Sequence, residues 1–366
     1  MKSVALFLCG DVMTGRGIDQ VLPHPSSPQL YEPFVRSAQD YVEMAERAHG
    51  KIPRPVDAAY IWGDGLPELA RVDPAVRIVN LETSVTTSDE WAPKGINYRM
   101  HPDNVDCLTA ARIDCCVLAN NHVLDWGARG LDETLATLHK RGIKTAGAGS
   151  TGPEADAPAI AEIKGAGRVL VFAVGSADSG IPRDWAATKS KPGISVLPDF
   201  SAQTAKNIAD RVHSVKRPGD IAVLSIHWGD NWGYEIPDAH RRFAHWVIDS
   251  TQVDLVHGHS SHHPKAMEVY KGKLILYGCG DFINDYEGIS GQEKFRSHLV
   301  LMYFATMDPA TGNLVRLELT PLETYRFRLR RPGTQDLDWL QRTLNREAEK
   351  MGGHIMRTAN GNLVLQ

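Results

Sequence analysis

Six times along the 366-residue chain a short apolar run of β-type composition ends in a cluster of glycine and polar residues, and this recurrence constrains the fold more than any single motif. Residues 4–8 lead into Gly10-Asp11, 76–79 into Asn80-Leu81-Glu82, and 115–119 into Asn120-Asn121-His122. Further on, 221–226 lead into His227-Trp228-Gly229, 253–256 into His257-Gly258-His259, and 274–277 into Gly278-Cys279-Gly280-Asp281. Between them lie segments of helical period. Residues 130–141 place Leu131, Leu135 and Leu138 on one face, and 237–250 do the same with Ala239, Phe243, Trp246 and Val247, with Pro237 suited to a first helical turn. Strands alternating with helices make an α/β layered domain, whose ligands gather beyond the carboxyl ends of the strands, where these clusters fall.

Composition narrows the function. A 42% hydrophobic content builds a sizeable core, and 40 basic against 44 acidic residues leave a net charge of −4, so no global basic field gathers nucleic acid or an anionic membrane. No apolar stretch nears the roughly 20 residues that span a bilayer, and the apolar part of the N-terminus is shorter than a signal peptide's, which predicts a cytoplasmic protein without a membrane span. The five cysteines (Cys9, Cys107, Cys115, Cys116 and Cys279) lie in apolar runs without CxxC spacing and read as buried core residues of a reducing compartment. Oligomeric state is left open.

Two regions depart from the alternation. Residues 22–65 read as an insertion or lid with a helix over 33–49; residues 321–366 read as a C-terminal extension, packed on a main domain of 1–320, with a basic run at 326–331 on a solvated strand face and a helix over 335–351. Gly147-Ala148-Gly149-Ser150-Thr151-Gly152 satisfies GxGxxG, but the proline-containing segment after it does not open an amphipathic helix, so a dinucleotide site is not predicted.

The chemistry concentrates in histidines and carboxylates. His257, His259, His262 and His263 fall within seven residues after an apolar run; four imidazoles on one turn repel if charged and are costly to bury without a partner, which favours a metal. Asp11, Glu82, Asn121, His122 and His227 hold the equivalent strand-end positions. With His259 and His262 they supply the mixed carboxylate, amide and imidazole set from which a hydrolase assembles one or two divalent transition ions, with manganese, zinc or iron all compatible.

The ordered segments Gly10-Asp11-Val12-Met13, Asn80-Leu81-Glu82-Thr83, Asn120-Asn121-His122, His227-Trp228-Gly229 and Gly258-His259-x-x-His262 resemble the CapA (poly-γ-glutamate capsule biosynthesis) family, a branch of the calcineurin-like metallophosphatases. The resemblance implies a four-layered αββα sandwich and a metal-dependent hydrolase or transferase acting on an amide (γ-glutamyl-like) or phosphoester bond of an anionic small molecule or polymer. The rival reading is a non-catalytic metal-binding accessory subunit of a polymer-synthesising complex. Asp11, Glu82, Asn121, His227, His259 and His262 are the implied metal ligands, and His122, with Asp11, is the implied catalytic residue, His122 as proton donor. Met13 stands where the superfamily has a histidine, Glu82 replaces an aspartate, and two residues instead of one separate His259 from His262, which together imply a weakened or empty first metal position. Arg16, Lys94 and Arg99 are candidates for holding the substrate's anionic groups, and Trp228, with Trp126 and Trp232, for an apolar wall.

Overall fold

Each of the six apolar runs overlaps a strand in the computed structural model of the chain, which describes residues 2–165, 167–250 and 252–366, although 118–119, 253–254 and 277 lie outside the strands. In chain order the principal strands are β1 (Val4–Val12), β2 (Val76–Leu81), β3 (Cys115–Val117), β4 (Lys144–Ala146), β5 (Ala159–Ile163), β6 (Gly167–Gly175), β7 (Ile221–His227), β8 (Leu255–His259), β9 (Met267–Tyr270), β10 (Lys273–Leu276), β11 (Asp281–Ile283), β12 (Leu299–Asp308), β13 (Asn313–Thr324), β14 (Ile355–Arg357) and β15 (Leu363–Leu365). The longest helices are α1 (Ala38–His49), α2 (Gly127–Lys140), α3 (Ala202–Val215), α4 (Asp238–Ser250) and α5 (Thr334–Glu349).

Among the described residues the strands make a ten-stranded sheet with main order β14-β15-β13-β12-β1-β2-β3-β4, in which β11 also pairs with β1, and a six-stranded sheet ordered β9-β10-β8-β7-β6-β5. The strands that end in polar clusters run parallel in both sheets, so their carboxyl ends lie together. Side chains alternate between the two faces of each strand. Leu6 and Leu8 of β1 share one core with Val171, Val223 and Leu255 of the second sheet, so the sheets pack face to face. Phe7 and Cys9 join Val42 of α1 and Leu131 of α2 on the outer side of the first sheet, and Leu170, Leu224 and Val256 meet Ile208 of α3 and Phe243 of α4 outside the second. Each fully buried side chain of this size stabilises the fold by about 1.5–3 kcal/mol, against which charge can be buried at the strand ends.

Several local expectations need correction. α1 begins at Ala38 instead of residue 33, because Ser37 is extended and its hydroxyl accepts the Gln39 N–H as an N-cap. On α4 the buried face is His240, Phe243, Ala244 and Val247, while Trp246 is exposed. The 326–331 run is strand only in part: Leu329 and Arg330 pair with β13 and Arg328 is exposed, whereas Arg326 and Phe327 turn with left-handed φ (58° and 57°), Phe327 is buried, and the Glu287 carboxylate accepts both backbone N–H groups of the turn. The boundary at 320/321 falls inside β13, and β14 and β15 extend the first sheet while Leu340 and Leu344 of α5 enter the inter-sheet core. From residues 22–65, Val42, Ala45, Ile52, Ile61 and Trp62 pack into the core outside the first sheet. All five cysteines are buried and free. No described helix is long and apolar enough to cross a membrane.

Candidate metal centre

β1 carries Asp11 to the convergence of the two sheets. In register, Asp11 lies beside Asn80 of β2 on one side and Asp281 of β11 on the other, and His227 of β7 lies beside His259 of β8. The close approach of β1 to the chain before β11 requires glycine: a Cβ on Gly10 would sit 1.6 Å from the Gly280 carbonyl oxygen. The sheets are joined here by polar contact as well, since His257 Nε2 lies 2.8 Å from the Cys9 carbonyl oxygen.

Two groups of donor atoms result, each within 4.8 Å of one another: Asp11 with His227 and His259, and Asp11 with His262 and Asp281. Asp11 belongs to both. His227 Nδ1 is 2.8 Å from His259 Nδ1, and His227 Nε2 is 3.1 Å from Asn121 Oδ1 and 3.9 Å from Glu82 Oε1. His262 Nδ1 is 2.8 Å from Asp281 Oδ1. The structure thus brings together all six predicted ligands, Asp11, Glu82, Asn121, His227, His259 and His262.

The electrostatics are those of a site short of positive charge. Burial, followed by the neighbouring Asp281 charge, pushes Asp11 up to about 7, and burial next to Asp11 pushes Glu82 well above the carboxylate range. Burial holds His227 and His259 well below the usual imidazole value. Burial would lower His262 too, but the Asp281 carboxylate outweighs it and its pKa rises. Glu82 Oε2 is buried with no hydrogen-bond partner. Buried carboxylates and neutral imidazoles aimed at one point, with one oxygen orphaned, fit a divalent cation.

A hydrogen-bond chain fixes how His259 faces this point. The Cys9 carbonyl only accepts, so His257 Nε2 carries the proton; His257 is neutral, because burial lowers it to about 4. Its bare Nδ1 then accepts from Ser225 Oγ at 3.1 Å, and Ser225 Oγ in turn accepts from His259 Nε2 at 2.8 Å. His259 is left with its Nδ1 lone pair toward Asp11, 3.8 Å away.

His122 stands beside the donors. Its Nδ1 is 2.6 Å from Asp125 Oδ2, and its Nε2 points at Glu82 Oε1, 3.8 Å away. Asp125 is itself held by Lys94 Nζ at 2.8 Å and by the Tyr98 N–H at 2.6 Å. Burial lowers His122 to about 4 despite Asp125, so in the metal-free protein Nδ1 donates to Asp125 and Nε2 is a bare lone pair facing the site.

The predicted substrate-binding residues are placed differently from one another. Lys94 is tied to Asp125 and to the Asn121 carbonyl, with its side chain still 20% exposed. Arg16 is buried, and its guanidinium donates to Asp285, to Glu32 (2.9 Å) and to Tyr41 (2.9 Å), so its charge is spent tying the 22–65 segment to the site floor. Arg99 lies over the Trp126 ring and bonds Ser88 and Asp89. Trp228 is buried, stacked on His240 with its N–H to the Tyr277 carbonyl, and is not among the cleft-lining residues. A cleft of about 890 Å³ is lined by residues that include Arg16, Trp232, His262, Asn284, Tyr286 and Arg296.

A family model for the bacterial capsule synthesis protein PGA_cap matches residues 5–286, a stretch that contains every donor described above. The chain belongs to this family, the CapA family that its ordered motifs resemble. A probable polyglutamine synthesis accessory protein of Mycobacterium tuberculosis is 48% identical over 355 residues, which cover 96% of this chain and 93% of that protein. The PGA biosynthesis protein CapA of Bacillus subtilis is 26% identical over 358 residues (97% of this chain, 80% of that protein), and the capsule biosynthesis protein CapA of Bacillus anthracis is 23% identical over 285 residues (78% and 60%).

Sequence reasoning gave no role in this CapA-family site to Asp281, Asp125 or Ser225, and counted His257 only as one of four clustered histidines. Asp281 was visible as the end of a Cys279-Gly280-Asp281 triplet that repeats Cys9-Gly10-Asp11. Asp125 follows His122 by one turn, a spacing that signals a local carboxylate–imidazole pair. Ser225 and His257 lie two residues before His227 and His259, the same-face position on a strand.

Proposed function

We propose that this chain is a metal-dependent hydrolase or transferase acting on an amide, γ-glutamyl-like, or phosphoester bond of an anionic substrate, on an αββα sandwich of the metallophosphatase type. The observation that carries this reading is His122: an imidazole oriented by Asp125, with its free nitrogen aimed into a buried ring of carboxylates and imidazoles. Asp11, Glu82, Asn121, His227, His259 and His262 would hold one or two divalent ions of manganese, zinc or iron. When bound, such an ion supplies Lewis acidity to the reacting group.

The rest of the chemistry belongs to side chains of this chain. His122 Nε2 exchanges a proton with the leaving group, while Asp125 keeps the ring in the tautomer with Nδ1–H. An anionic substrate against Nε2 favours the imidazolium, which raises His122 from its low resting value and arms it as the acid. Lys94 fixes Asp125 and keeps part of its side chain exposed. The cleft's size suits a ligand larger than one amino acid.

A second reading, a non-catalytic accessory subunit in polymer synthesis, is favoured by the printed name of the M. tuberculosis relative. Turnover by the metal-loaded protein on alkyl phosphate ester and γ-glutamyl alkylamide panels, whose leaving groups need a proton, lost in His122→Ala, supports the enzyme. Full metal loading with no turnover on either panel favours the accessory role.

A further inference from the structure

We infer that Asp281 is a metal ligand, and that with Asp11 and His262 it forms a second ion position beside the one built by Asp11, His227 and His259. The inference rests on the metal reading above and adds to it a residue and an ion.

Asp281 is 1% exposed and Asp11 is fully buried, and the parallel pairing of β11 with β1 sets them side by side. Two like charges on adjacent strands repel, and burial multiplies the cost. Among the described residues no lysine or arginine pairs with Asp11, Glu82 or Asp281: Lys94 is bound to Asp125, and Arg16 to Asp285 and Glu32. Among the described residues the only side chain with a cationic form that bonds Asp281 is His262, and one imidazolium cannot balance three buried carboxylates. The backbone is built for this juxtaposition: Gly10 lets β1 approach the Gly280 carbonyl, and a Cβ on Gly280 would lie 2.8 Å from Pro264, next to the loop that carries His262.

The geometry is that of a site and not of a chance ion pair. Asp281 Oδ1, His262 and Asp11 present donor atoms within 4.8 Å of one another, and Asn284 Nδ2 holds the other carboxylate oxygen, Oδ2, at 2.9 Å, which fixes the group's orientation. The residue two after Asp11 is Met13, whose sulfur is engaged by the Tyr286 hydroxyl at 3.4 Å, so β1 offers this position no second hard donor. Oxygen from β11 takes its place. His262 and Asn284 also line the large cleft, so this ion position would be the one nearer the entering substrate.

The test uses full-length protein freed of metal and titrated with manganese, read by bound-metal stoichiometry and by electron paramagnetic resonance. Wild type is expected to bind two manganese ions with the spin-coupled signal of a close pair. Asp281→Asn keeps the shape and the acceptor for His262 but removes the charge. It should retain one ion, give an isolated-ion spectrum, and bind the second at least about a hundredfold more weakly, since even outer partners of ligands cost 10–100-fold. Asp281→Ala should do the same if it folds, and Asp281→Asn decides if it does not. If Asp281→Asn binds two ions with wild-type affinity, Asp281 only orients His262 and the inference is overturned. A wild type that binds a single ion, unaffected by Asp281→Asn, also overturns it but leaves the proposed function standing. A wild type that binds none removes both.

Discussion

Removing the His122 imidazole separates proton transfer from metal holding. In His122→Ala the Asp125 carboxylate keeps Lys94 at 2.8 Å and the Tyr98 N–H at 2.6 Å, so no buried charge is orphaned. The stability loss should therefore stay within the roughly 0.5–3 kcal/mol of an ordinary substitution. Metal content should not change, because His122 belongs to neither donor group. The rate should fall by about 10²–10⁴, or about 2.7–5.5 kcal/mol in the barrier. The assay is kcat/KM for a series of esters or amides of graded leaving-group pKa, with metal measured on the same samples. The loss should shrink toward nitrophenol, which departs without a proton. An equal loss across the series, or loss of metal, refutes the assignment.

Further outcomes follow from other parts of the site. Ser225→Ala breaks the chain that holds His259 in its Nε2–H form; metal affinity should drop about 10–100-fold, and unchanged affinity with an unchanged His259 nitrogen spectrum would show the chain to be idle. Arg16→Met leaves Asp285 and Glu32 buried without their partner and should cost about 3–5 kcal/mol in urea unfolding, whereas an unmoved midpoint would mean that the clamp is dispensable. His257 and His263, both lowered to about 4 by burial, make the metal-free fold acid-sensitive. The unfolded chain takes up protons below about pH 6.5 that these folded residues refuse until about pH 4, so stability is full above 6.5 and falls as pH drops, by about 2 kcal/mol per residue at pH 5. Calorimetry from pH 7 to 5 should show this fall and a shallower one in His257→Gln.

Much of this was legible in the sequence, for a physical reason. Parallel strands deliver their carboxyl ends to one place, so polar residues closing apolar runs group together from the sequence alone, and Asp11, Glu82, Asn121, His227, His259 and His262 do converge. What was illegible is who satisfies whom. Arg16 reads as a free cation in the sequence, yet Asp285, 269 positions away, takes its charge. Trp228 follows a ligand on the chain, one residue past the end of β7, and turns into the core, where it stacks on His240 of α4. Asp281 closes a visible cluster, but its place beside Asp11 was not legible, because β11 is a late, three-residue strand that returns to β1. The left-handed turn at Arg326 and Phe327 likewise depends on a carboxylate from elsewhere, Glu287.

The central claim is that the carboxylate–imidazole ring is a metal centre, and elemental analysis tests it most directly. Metal-free protein incubated with manganese, zinc or iron and then desalted should retain one or two ions per chain, and the His227→Ala/His259→Ala double variant, folded by circular dichroism, should lose the ion those two residues hold. Wild-type protein that remains metal-free after all three incubations would contradict the account.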